Sequence, residues 1–159
     1  FKFEHHVAAP PDRTFAVFSD LEKAAERASG IKSLELLTPG PVQKGTRFKE
    51  TRVMFGKEAS ETMEITGFEP GRSYTTEAAS CGCHYKTIMD FLPDAKGTRV
   101  VMSMTATPQT FMAKIMSPLM SFMMKGAAKK CILQDFQDLG KVAETEAGTG
   151  SAAGTSPTA

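Results

Sequence analysis

The stretch FMAKIMSPLMSFMMKGAAKKCILQDFQDLGKVAE, residues 111–144, decides how the chain can fold. Set on a helix at about 100° per residue, Phe111, Met112, Ile115, Met116, Leu119 and Met123 share one broad apolar arc. Beyond Gly126 the apolar residues are Ala128, Cys131, Ile132, Phe136, Leu139 and Val142, and their arc is rotated by roughly half a turn from the first. One straight helix cannot press both arcs onto the same surface. Pro118, which removes an i to i−4 hydrogen bond, and Gly126, which bends cheaply, are the expected places for a kink or break. The later arc is expected to clamp a core. The earlier one concentrates Met112, Met116, Met120, Met123 and Met124, soft unbranched side chains that repack around differently shaped neighbours. It reads either as core filling or as the adaptable wall or lid of a pocket.

Upstream, the periodicity changes from helical to alternating. Phe3, His5 and Val7 recur at period two in a first strand, and Pro10-Pro11 opens a short helix that carries Phe15 and Phe18. Ser19-Asp20-Leu21-Glu22 fits a capping box, predicting a second, charged helix that runs to Ser29-Gly30. From Ile31 to about Thr107, short segments rich in Val, Ile, Thr, Phe and Tyr alternate with turns at Pro39-Gly40-Pro41, Lys44-Gly45, Gly56-Lys57, Pro70-Gly71 and Lys96-Gly97. This predicts an antiparallel meander, about seven strands with the first. Residues 1–143 are expected to form one domain, and the Gly/Ala/Ser/Thr-rich residues 144–159 a disordered tail.

Charge and composition exclude several roles. Lys plus Arg number 19 and Asp plus Glu 18, and no basic run exceeds Lys129-Lys130, so the electrostatic footprint of a nucleic-acid binder is missing. No apolar run reaches the roughly 18 residues of a membrane-spanning helix. Cys81, Cys83 and Cys131 are odd in number and lack C-x-x-C spacing, which reads as reduced thiols and a cytoplasmic protein. In Cys81-Gly82-Cys83-His84 and in His5-His6, neighbouring strand residues point to opposite faces, so neither forms a standard metal site, and no metal or cofactor is expected.

The order of strand, two helices, antiparallel strands and long terminal helix resembles the START-like superfamily, also called SRPBCC, and within it the polyketide cyclase/dehydrase-like group. The resemblance rests on Ala9-Pro10-Pro11-Asp12-Arg13-Thr14-Phe15 with Asp20, on Gly45-Thr46-Arg47-Phe48, on Phe68-Glu69-Pro70-Gly71-Arg72 and on Gly97-Thr98-Arg99-Val100. It implies an α+β helix-grip fold, a curved antiparallel sheet wrapped on the terminal helix with a cavity between them. Members often carry a tryptophan in the short second helix; residues 24–31 have none.

Strand parity supplies the candidate lining. Met102 and Met104 alternate with outward residues, as do Cys83, Tyr85 and Met89, and Tyr74 and Thr76. With Met112, Met116 and Met120 from the helix they suit a largely hydrophobic ligand oriented by sparse hydroxyl and thiol groups. Glu50 and Arg52 share one face of their strand with Phe48 and Met54. If that face is inward, the two charges need each other or a polar ligand group. The leading reading is a module that binds a small hydrophobic molecule such as a lipid, an aromatic or a polyketide-like metabolite. A cyclase or dehydratase using Tyr74, Tyr85 or Glu50/Arg52 is the alternative, and a protein-interaction or co-chaperone role ranks last.

Overall fold

The computed structural model describes the backbone of residues 1–54 and 56–150; the side chains at 117, 119–125 and 147–150, Met120 among them, lie outside the described residues. Seven strands form one antiparallel sheet: β1 (Lys2–Val7), β2 (Ile31–Leu36), β3 (Arg47–Met54), β4 (Lys57–Glu69), β5 (Ser73–Ser80), β6 (Cys83–Asp94) and β7 (Gly97–Pro108). Their spatial order is β1-β7-β6-β5-β4-β3-β2, so β2 to β7 are the predicted meander and β1 closes its far side. The strands nearest the N-terminus thus occupy the two edges. Between them in sequence lie α1 (Pro11–Ser19), a 3-10 turn at Leu21–Lys23 and a single-turn α2 (Ala24–Arg27).

Local chemistry explains these starts and stops. Proline occupies the first turn of α1, where its missing N–H costs nothing. Behind it, the Thr14 hydroxyl donates to the Pro10 carbonyl at 3.0 Å and the Thr98 hydroxyl to the Ala9 carbonyl at 2.7 Å, tying the β1–α1 corner to β7. The capping box predicted at Ser19–Glu22 does not form. Residue Asp20 precedes the 3-10 turn without a side-chain cap, and in place of the expected longer helix stand one 3-10 turn and one α-helical turn. Cys81 and Gly82 are the two central residues of the β5–β6 turn with φ of 51° and 72°, the positive values that a two-residue hairpin of this kind demands. Cys81 therefore belongs to a turn, not to the strand assumed for Cys81-Gly82-Cys83-His84.

The last element, α3 (Phe111–Gly150), is a single helix that continues through Pro118 and Gly126, where a kink or break was predicted, so that neither residue breaks it, and past the expected boundary at residue 143. Residues 151–159 lie outside the described residues. Phe136, Leu139 and Ala143 are buried, while Phe111, Met112, Ile115 and Met116 are 77, 68, 58 and 46% exposed. The two arcs thus have opposite fates. The later one enters the core with Phe3, Phe15, Phe18 and Phe91.

Both edges of the sheet reach this helix. Phe3 of β1 meets Phe136 edge-on at 5.2 Å, and the Ala8 N–H donates to Glu144 Oε1 at 2.9 Å. On the other side, Ser29, in the connection that leads into edge strand β2, donates its N–H and hydroxyl to Asp138 Oδ2 at 3.0 and 2.6 Å. A flat sheet could not touch one helix from both edges, so the strands curl around it. This is the helix-grip fold that the resemblance implied.

Two glycines test the packing. At Gly97 φ is +145° and an added Cβ would lie 2.2 Å from the Val7 carbonyl oxygen, whereas at Gly126 nothing stands within 4 Å. Gly97→Ala should prevent accumulation of folded protein or sharply lower its urea midpoint. Gly126→Ala should raise stability by about 0.5–1 kcal/mol through helix propensity alone. Equal effects in a urea titration would contradict this packing.

Candidate functional site

Directly opposed residues of an antiparallel pair share a face of the sheet. The register therefore lays out the concave side as rows. One row runs Phe68–Tyr74–Met89–Met102–Phe3. The next runs Ile65–Thr76–Thr87–Met104, and the third Phe48–Met63–Ala78–Tyr85–Ala106. Glu50 and Glu61 face each other one row further on, with Leu34 beside Glu50. The predicted inward set Tyr74, Thr76, Cys83, Tyr85, Met89, Met102 and Met104 thus shares one face, and the Glu50/Arg52 face is the inward one.

Burial divides this surface. Around the first row Met89 and Met102 are each 5% exposed and Phe91 is 2%, sealed by α1 and the later half of α3. Phe48 and Ile65 are sealed in a smaller cluster with Leu21. Between these closed regions Met63, Thr76, Tyr85, Thr87 and Met104 are only half-buried. Of the described α3 side chains up to residue 130, Ala113 is buried beside Gly82 of the β5–β6 turn, and Ala127 and Ala128 are half-buried. Among the described side chains, the concave face thus carries a half-buried patch of apolar surface with two hydroxyls and a phenol on it. Cys83 stands at its margin as the first residue of β6.

Met112 and Met116, expected to wall this space, are mostly exposed on the arc away from the buried one, and Met120 lies outside the described side chains. Tyr74 belongs to the core more than to the space. Its ring lies 6.1 Å from Phe15 and 5.9 Å from Phe91, and its hydroxyl donates to the Phe18 carbonyl at 3.4 Å. Burial, then the charge of Glu50, raises its pKa far above that of a free tyrosine. Tyr85 is raised for a similar reason, burial first and the Cys83 thiol next.

The inner end carries charge. Arg52 donates through Nε to Glu50 and through a terminal nitrogen to Asp135 Oδ2 at 2.5 Å. Burial opposes the Arg52 charge, but Glu50 and Asp135 together outweigh it and its pKa is raised. Asp135, 7% exposed, was not singled out from sequence, although an acid between Ile132 and Phe136 on a core arc was a readable anomaly. Its second oxygen, Oδ1, is buried without a hydrogen-bond partner among the described residues. With Arg52 occupied on both sides, Glu61 is left with no hydrogen bond or ion pair among the described residues. Burial, and secondarily the facing Glu50, raises its pKa.

Two grooves lie elsewhere. One of about 520 Å³ runs between α1 and the Gly40–Pro41–Val42 loop, reaching Phe15 and Phe68. The other, about 470 Å³, lies beside Asp12, Arg72 and Asp90. Among the described residues no group of three or more His, Cys, Asp or Glu side chains is placed to hold a metal ion.

An open antiparallel sheet curled around its long terminal helix defines a helix-grip protein. The chain belongs to the polyketide cyclase/dehydrase and lipid transport family, whose model matches residues 1–143. Among solved structures, the Zhui aromatase/cyclase from Streptomyces sp. R1128 superimposes with a TM-score of 0.77 at 16% identity, covering 98% of each chain. The di-domain aromatase/cyclase StfQ of the steffimycin pathway gives 0.78 at 15%, covering 93% of this chain and 52% of its own. A protein from Thermus thermophilus, TTHA0849, gives 0.66 at 22%, covering 94% and 97%. No curated protein matches the chain in sequence. At these identities the likenesses establish the fold.

Two substitutions separate the charges. Asp135→Asn should cost about 2 kcal/mol in urea unfolding, the worth of a hydrogen bond between charged groups. Glu61→Gln should behave differently with pH. A carboxyl whose folded pKa is raised loses stability for the protein as pH climbs from the unfolded value through the raised one. Wild type and Glu61→Gln should therefore have matching urea midpoints below pH 4.5, the ordinary value, with the variant ahead above it. A variant less stable at neutral pH would mean that the Glu61 charge is satisfied in the fold.

Proposed function

We propose that the protein binds a small, largely hydrophobic molecule between the concave face of the sheet and α3. The observation that carries this reading is the half-buried patch of Met63, Thr76, Tyr85, Thr87 and Met104, which shares the concave face with two clusters of buried residues. Interiors of folded domains are filled to crystal-like density, so a face left half-covered between packed regions is space for something else. The lining suits an aliphatic or aromatic body with a few oxygens, and the hydroxyls of Thr76, Thr87 and Tyr85 would orient those oxygens. A lipid, an aromatic or a polyketide-like metabolite fits this description.

Catalysis at the same place is the second reading. Glu61 favours it, because a partly desolvated carboxyl with a raised pKa holds its proton to higher pH than an exposed one and is the better placed to donate it to a ligand carbonyl, and Tyr85 lies in the adjacent row. Two of the structural neighbours are described as aromatases/cyclases, a chemistry that needs such proton transfers. The pairing of Arg52 with Glu50 and Asp135 makes it a positioning group in either case.

Nile red, a neutral hydrophobic dye, tests binding directly. Thr87→Trp should fill the patch and weaken dye binding at least about tenfold, the order expected when a buried apolar contact of one large side chain is lost. Thr105→Trp, on the outer face of β7, should leave it unchanged. Equal affinity in all three proteins would place the dye elsewhere and sink the reading. Native mass spectrometry of protein from its own host would name the ligand. With that ligand, Glu61→Gln losing turnover at unchanged affinity would select the enzyme over the carrier.

A further inference from the structure

The exposed arc at the start of α3 has no role in the cavity. Phe111, Met112, Ile115 and Met116 are 77, 68, 58 and 46% exposed, a contiguous apolar strip on two turns of helix. The strip does not stand free of the body. Gln109 and Thr110 donate their N–H groups to the Gly82 carbonyl at 2.8 and 3.3 Å, and Ala113 is buried, so the β5–β6 turn holds the helix with this arc outward. The register also brings the β3–β4 hairpin tip to the same end of the sheet, with Val53 53% exposed and Lys57 exposed beside it.

Charge accompanies the strip. From Ala95 to Gln134 the sequence contains no Asp or Glu, while Lys114, Lys125, Lys129 and Lys130 lie on the helix itself. In a chain whose net charge is only +1, this is a local separation of charge. An apolar arc flanked by lysines and free of acids describes a helix that lies in the headgroup region of an anionic bilayer, with its lysine stems snorkelling to the phosphates. No helix among the described residues is long and apolar enough to cross a membrane, which is consistent with lying on one.

We propose that the start of α3 docks the protein on an anionic lipid bilayer, with Phe111, Met112, Ile115 and Met116 entering the acyl boundary and the exposed Lys114, Lys129 and Lys130 meeting the headgroups. This goes beyond the cavity reading and does not depend on it. A protein that carries hydrophobic molecules gains by loading at a membrane surface, but the docking rests on the outward arc and its lysines alone.

Vesicle sedimentation is the test, using phosphatidylcholine mixed with phosphatidylserine against phosphatidylcholine alone. The full chain should partition to the anionic vesicles, and less at 1 M salt, where the Debye length is about 3 Å. Lys129→Ala and Lys130→Ala should each weaken partitioning about fivefold, the worth of one basic residue near an anionic surface. The pair Phe111→Ser and Ile115→Ser should weaken it at least about tenfold without unfolding the protein, because both side chains are already exposed. Because the chain has no tryptophan, Met112→Trp gives a single-site reporter, and its emission should shift to the blue on binding. Thr87→Trp should keep its vesicle binding, so failure of the cavity reading and failure of this one can be told apart. Absence of partitioning, partitioning unchanged by the serine pair, or binding without a spectral shift would overturn the proposal. So would a dimer in sedimentation velocity that the serine pair converts to monomer while vesicles bind neither, since the strip would then cover a second copy.

Discussion

The placement of Phe136 constrains everything else. Its ring stands edge-on to Phe3 at 5.2 Å and Phe18 at 5.5 Å, joining the terminal helix to an edge strand and to α1 at one point. Contacts of this kind add about 0.5–1.5 kcal/mol each beyond the area they bury. A helix is a rigid rod over a few turns, so burying Phe136 with Leu139 and Ala143 sets its rotation. That same rotation delivers Asp135 to Arg52 and Asp138 to Ser29. It also carries Phe111 and Ile115 to the outside. The buried arc and the exposed strip follow from one choice of helix face.

The packing is uneven for a reason visible in side-chain size. Where phenylalanines from α1, β1, β6 and α3 converge, the concave face is closed, and Phe3, Phe136, Phe18, Phe91 and Phe15 form a chain of edge-on contacts. Elsewhere on that face Met63, Thr76, Tyr85, Thr87 and Met104 are only half-buried. Leaving apolar surface uncovered forgoes roughly 25 cal/mol per Å². A fold supported by a closed aromatic cluster and a curled, fully paired sheet can bear that loss and keep a binding surface.

Arg52 contributes specificity more than stability. Desolvating a guanidinium and two carboxylates costs about what their attraction returns, so such a cluster is weak evidence of net stabilisation. What it does enforce is register, because only one sliding position of α3 pairs Asp135 with β3. Its second effect is on the remaining acid. With Arg52 shared between Glu50 and Asp135, nothing among the described residues neutralises Glu61, and this carboxyl lies next to the half-buried patch of the concave face.

Much of this was legible residue by residue. Period-two alternation located the strands, turn glycines separated them, and the two apolar arcs of residues 111–144 were visible on a helical wheel, because these signals depend only on local backbone geometry. The inward rows followed from parity for the same reason. Other features were not legible. The Ser19–Glu22 pattern matched a capping box, yet the short β1–β2 crossover had to pack Leu21 and Ala24 under the sheet, and tertiary burial overrode the local motif. Pro118 and Gly126 looked like breaks, but a helix held at both ends, by Gly82 and by the gripping edges, continues through them. Asp135 could be noticed in the sequence, but its partner lies 83 residues away and belongs to a different element. By itself the sequence determined that α3 has two apolar faces and that the sheet has one concave lining. Which helix face the sheet would take was a tertiary decision, made where Phe136 found a closed aromatic site and Phe111 did not.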